Sequence, residues 1–86
     1  MRKFFFDEKG HGEFKKTYGL GANRNSAVLA SASEMIFADG AWRPHVGDAW
    51  VQVISVAPQD NGNVDLKINV GWQSELSYRV WIVFVD

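Results

Sequence analysis

The residues predict an all-β fold, a small antiparallel β-sandwich or barrel of four to six strands, on three observations. Residues 64–70 alternate strictly: Val64, Leu66, Ile68 and Val70 point one way, while Asp65, Lys67 and Asn69 point the other. That is the period of a strand with one side on a core and one in water. Just before it, Asn61-Gly62 is a strong hairpin signal, because both residues tolerate positive φ. Finally, Phe4-Phe5-Phe6 and the run Trp81 to Val85 are apolar on both faces, so each needs cover on two sides, from a second sheet or another subunit.

Taken in order, residues 3–6 read as a short strand entering a turn at Asp7-Glu8-Lys9-Gly10. Gly10 to Gly21 reads as a glycine-spaced stretch anchored by Phe14 and Tyr18. Within it, Gly19-Leu20-Gly21-Ala22-Asn23 lacks the lysine and hydroxyl residue of a phosphate loop, so a plain loop is expected. Residues 26–37 support two readings. Val28, Leu29, Ala32, Met35 and Ile36 fit a helical stripe capped by Asn25 or Ser26, yet three serines disfavour a helix interior. The all-β character downstream favours an extended segment. Residues 39–49 read as a loop with turns at Asp39-Gly40 and Gly47-Asp48, and Trp42 as its anchor over the core edge.

Trp50 to Ala57 is a strand. A two-residue Asn61-Gly62 turn pairs it with 64–70 so that Val51 meets Trp72, Val53 meets Val70, Ser55 meets Ile68 and Ala57 meets Leu66. Trp50, Ile54 and Val56 then share the outward face with Asp65, Lys67 and Asn69. The last run, Leu76 to Val85, alternates at first and then turns apolar throughout.

Eighty-six residues make one domain, 1–86, and a chain of this size buries only roughly 60–65% of its unfolded surface. It has no cysteine, so no disulfide framework exists, and its two histidines, His11 and His45, lack the spacing of a structural metal site. With those staples excluded, oligomerisation is the expected source of extra burial. The net charge of −1 and the scattered Lys and Arg show no basic stripe of the kind that offsets phosphates, so no nucleic-acid partner is expected. No run reaches membrane-spanning length and no secretory leader is visible, so a soluble chain is expected, its compartment left open.

No serine occupies a nucleophile-elbow context, and Asp48, Asp60, Asp65, Glu75 and Asp86 fall at turns or on a solvent face, so no catalytic residue and no cofactor is expected. The grouping with chemical interest is Trp72-Gln73-Ser74-Glu75-Leu76-Ser77-Tyr78. An indole and a phenol bracket amide, hydroxyl and carboxylate groups, the mixture a sugar needs for its C–H face and its hydroxyls. The bland reading competes: both aromatics are also in phase with core positions.

The C-terminal half resembles the H-type lectin domain of snail agglutinins and the discoidin C-terminal domain. The resemblance lies in Leu66-Lys67-Ile68-Asn69-Val70-Gly71-Trp72, Tyr78 six residues later, and Val80-Trp81-Ile82-Val83. Upstream, Glu34-Met35-Ile36-Phe37-Ala38 before Trp42-Arg43-Pro44, and Gly12-Glu13-Phe14, are similar to further short motifs of that family. The chain is shorter than the family pattern by about one strand. The resemblance implies an antiparallel sandwich that assembles as a trimer or a pair of trimers and binds galactose- or GalNAc-type glycans near subunit boundaries. Trp72, Gln73 and Tyr78 fall on its carbohydrate-binding positions. The expectation is therefore a non-enzymatic, multivalent carbohydrate-binding module; the alternative is a structural assembly or receptor-binding tip that binds no sugar.

Overall fold

The computed structural model describes residues 1–85, leaving Asp86 and its carboxylate outside the described residues. Seven strands are present among the described residues: β1 (Arg2–Gly10), β2 (Gly12–Ala22), β3 (Val28–Ala38), β4 (Ala41–His45), β5 (Trp50–Pro58), β6 (Gly62–Gly71) and β7 (Leu76–Phe84). They form two antiparallel sheets, one of four strands in the order β1-β7-β3-β4 and one of three in the order β2-β6-β5. The class is the expected one, with more strands than the four to six counted from sequence.

The extra strands come from stretches read as turns or loops. Asp7-Glu8-Lys9 does not turn; β1 continues to Gly10, paired along its whole length with β7. The glycine-spaced stretch is β2, whose Phe14, Tyr18 and Leu20 alternate onto the core while Glu13, Lys15 and Thr17 face outward. Trp42 lies in β4, not in a loop, and Pro44 is tolerated there because β4 is an edge strand that pairs with β3 alone. Residues 28–38 are extended: Val28, Ala30 and Ala32 pack on the core every second residue, which the β7 pairing rewards and a helix would not.

β1 and β2 are one long path interrupted only by His11. Gly12, at φ 74°, supplies the left-handed conformation that turns the chain from one sheet into the other. Their partners β7 and β6 make the same crossing, but residues 72–75 are added there. The molecule is thus largely a two-stranded ribbon folded over on itself at a corner, with residues 72–75 protruding from it.

The β5–β6 register differs from the expected one. Val51 pairs with Val70 and Val53 with Ile68, then a β-bulge at Ile54 shifts the ladder so that Val56 pairs with Leu66. Two causes act together. The turn is a three-residue loop, Asp60-Asn61-Gly62: the Gln59 N–H donates to Asn63 O (2.8 Å), the Gly62 N–H donates to Gln59 O (3.1 Å), and Gly62 alone takes positive φ, at 93°. The bulge then brings Val56 onto the core in place of Ser55 and Ala57, leaving Ile54 exposed. Asp60 is fixed from outside the hairpin, accepting hydrogen bonds from the backbone N–H (2.8 Å) and Nε (2.6 Å) of Arg24.

The core lies between the central strands of the two sheets. Val64, Leu66, Ile68 and Val70 of β6 face Tyr78, Val80, Ile82 and Phe84 of β7, none more than 2% exposed. Each such aliphatic or aromatic side chain contributes about 1.5–3 kcal/mol by leaving water. The three phenylalanines divide as their alternation demands: Phe4 and Phe6 pack on the core, Phe5 points away and is 56% exposed.

Candidate functional site

Two open clefts flank the corner where β6 passes into β7. The larger, about 520 Å³, is lined by Asp7, Glu8 and Lys9 of β1, Met35 of β3, Trp42 of β4, and Ser77 and Tyr78 of β7. The smaller, about 380 Å³, is lined by Glu34, His45, Gly47, Asp48, Ala49, Trp72 and Leu76. Glu34 and Tyr78 are directly paired across β3 and β7, so the two clefts meet at this pair.

The three residues expected to bind sugar are not brought together. Trp72 leaves the core phase of β6 because Gly71 ends the strand and the Trp72 N–H turns back to donate to Val70 O (2.9 Å). Its indole is 37% exposed and lines the smaller cleft. Gln73 follows it as an exposed loop residue. Tyr78 is 1% exposed within the core, its ring 6.0 Å from that of Phe14. Burial, helped by the nearby Glu8 carboxylate, pushes its phenol up to about 12.

The electrostatics separate the clefts. In the larger one the carboxylates are already engaged. Asp7 accepts from Arg79 Nε (2.6 Å) and Nη2 (3.0 Å), and this hydrogen bonding holds its carboxyl below the usual range. Glu8 accepts from Lys16 Nζ (2.9 Å) and the Tyr18 hydroxyl (2.9 Å), and the lysine above all holds it low as well. Tyr18, stacked on Phe6 at 4.0 Å, is raised far above an ordinary phenol, first by burial and then by Glu8.

In the smaller cleft the side chains of Glu34, His45 and Asp48 make no hydrogen bond or ion pair among the described residues. Glu34 and His45 converge over Gly47: a Cβ there would stand 3.0 Å from Glu34 Oε1 and 3.1 Å from His45 Nε2. The bare backbone at Gly47 is what lets the carboxylate and imidazole approach. Two carboxylates and an imidazole, all uncommitted, thus stand beside an exposed indole. No group of three or more His, Asp or Glu among the described residues is arranged to hold a metal ion. Of the residues lining this cleft, the sequence singled out Trp72 and not Glu34, His45 or Asp48. They come from β3, β4 and the β4–β5 loop, so no spacing connects them.

The class these features define is a seven-stranded, two-sheet antiparallel β domain with an aromatic cleft at its corner. No protein-family model, curated protein or solved structure matches the chain.

Proposed function

We propose that this chain is a non-enzymatic carbohydrate-binding module whose site is the corner cleft around Trp72. The observation that carries the reading is the exposed indole beside the uncommitted side chains of Glu34, His45 and Asp48. An indole face takes the C–H side of a pyranose, and unpaired carboxylates accept from its hydroxyls without first breaking an ion pair. The resemblance to H-type lectins points to galactose- or GalNAc-type ligands, with Gln73 reaching the sugar from the rim. Tyr78 supports the cleft from the core rather than touching ligand. A glycan array followed by titration tests this. Binding of a galactose-type glycan, abolished by Trp72→Ala and retained by Tyr78→Phe, is expected; a folded wild-type protein that binds no glycan refutes it.

A second reading, an assembly or tip domain without sugar affinity, is favoured by the exposed Phe5 and Leu29 on the outward face of the four-stranded sheet. It requires that Trp72→Ala leave every binding property unchanged.

A further inference from the structure

The outward face of the four-stranded sheet, which meets the larger cleft at Asp7, offers a surface distinct from the Trp72 cleft. Phe5 on β1 lies directly across from Trp81 on β7, and Leu29 on β3 across from Val83. Phe5 and Leu29 are 56% and 65% exposed, while Trp81 and Val83 are half-buried. Arg79 is fixed among them, its guanidinium 4.2 Å from the centroid of Phe5 and 5.9 Å from that of Trp81, held in place by Asp7. This apolar row is a preorganised surface, because the strands behind it pair continuously over Arg2–Gly10 and Val28–Glu34.

We propose that this face is a twofold self-association surface, covered by the same face of a second copy of the chain. Charge order identifies the occupant. The outward side of β1 reads Lys3, Phe5, Asp7, a cation and an anion placed symmetrically about an aromatic. A twofold axis running across the strands through the Phe5–Trp81 row lays β1 antiparallel over its copy. Phe5 then meets Phe5, Trp81 meets Trp81, the Arg79 side chain lies over Val83, Ser33 lies over Leu29, and each Lys3 meets the second copy's Asp7. Within one chain Lys3 has no ion pair among the described residues, and the Asp7 side chain stays 53% exposed despite its bond to Arg79. Both therefore have capacity for this contact. Three strands pass behind this row, because β4 pairs with β3 only over residues 34–38; at about 3.3 Å per residue and about 4.8 Å per strand they give a footprint of roughly 30 by 14 Å, smaller than the ~800 Å² per partner of a standard interface and in keeping with a contact that forms as concentration rises. Sheets stacked this way keep their strands within about 30° of alignment, as the antiparallel overlay requires. The twofold contact is isologous, so it closes at two copies. It does not rest on the sugar reading.

Sedimentation equilibrium and gel filtration with light scattering, from low micromolar to near-millimolar protein, test the proposal. The wild type is expected to reach twice the 9.7 kDa chain mass as concentration rises. Phe5→Glu is expected to stay monomeric throughout with an unchanged circular dichroism spectrum, and Leu29→Lys carries the same test should that variant fail to fold. Lys3→Glu, facing Asp7 at both ends, is expected to weaken the dimer at least about tenfold at low salt. Ile54→Glu, on the outer face of the other sheet, is expected to leave it intact. A wild type that is monomeric at every concentration, a trimeric mass, or a Phe5→Glu variant that dimerises undiminished would each overturn it. Glycan titration of Phe5→Glu reads the cleft separately, since one chain's own affinity is expected not to change.

Discussion

The outward faces of the two sheets differ although the backbones and the core behind them are alike. On the three-stranded sheet, β2 and β6 present Glu13, Lys15, Thr17, Asp65, Lys67 and Asn69, cross-linked by a Lys67–Glu13 ion pair (3.5 Å) and a Thr17 hydroxyl donating to Asp65 (2.7 Å). On the four-stranded sheet the outward positions hold Phe5, Trp81, Val83 and Leu29 among Lys3, Asp7, Arg79, Ser31 and Ser33. An antiparallel sheet needs only one apolar face to fold, so the first arrangement is the expected form of a face left in water. The second goes beyond what folding of one chain requires. Trp50 and Ile54 on β5 are the exceptions on the polar side, and they sit at its edge.

The comparison breaks most sharply along β7, where adjacent residues serve opposite faces. Ile82→Ala removes a side chain with no solvent exposure and is expected to cost about 2–5 kcal/mol in urea unfolding. Val83→Ala, on the outward face, is expected to cost under about 1 kcal/mol in dilute protein. Comparable losses at both positions would mean that the outward face already packs within a single chain.

Next in size is the alkaline limit of the inner face. Tyr78, raised to about 12, and Tyr18, raised further, stay protonated in the fold after the unfolded chain has ionised near pH 10. Their contribution is complete below pH 10 and is lost as pH rises toward and past 12. Stability should therefore fall across that window, with phenolate absorbance appearing only on unfolding. Tyr78→Phe should make the fall shallower. The acid limit is smaller because its carboxylates are partly exposed. Asp7 and Glu8, both lowered, stabilise above their ordinary values near pH 4, and that contribution disappears as pH drops through their lower folded values. Asp7→Asn should flatten the acid limb of a stability–pH curve. Smallest of all, Lys67→Ala on the polar face should change stability by no more than about 0.5 kcal/mol.

The strands that sequence revealed best are those with one wet face and one dry. β6 announced itself through Val64 to Val70, and the division of Phe4, Phe5 and Phe6 followed from alternation alone. β2 was less legible, because glycines at 12, 19 and 21 interrupt its pattern and resemble a loop until β6 is seen beside it. β4 was hidden by Pro44, which only an edge position permits. The bulge at Ile54 was invisible because a period-2 pattern assumes an unbroken ladder. In the cleft, Trp72 stood out as an aromatic in a polar loop, whereas Glu34 looked like an ordinary strand residue and His45 and Asp48 like ordinary turn residues.

By itself, the amino-acid sequence determined the all-β class, the inward faces of β6 and β7, and the location of the β5–β6 turn. Each of these follows from side-chain alternation or from the φ a residue tolerates, properties that neighbours in the chain settle among themselves. Tertiary structure alone decided which strands pair, where the ribbon folds over, and that Trp72 leaves the core phase of β6 to lie beside Glu34, His45 and Asp48. Those outcomes depend on long-range pairing: a one-residue shift in register sends every side chain to the other face, and only the competing partners across the sheet determine which register wins.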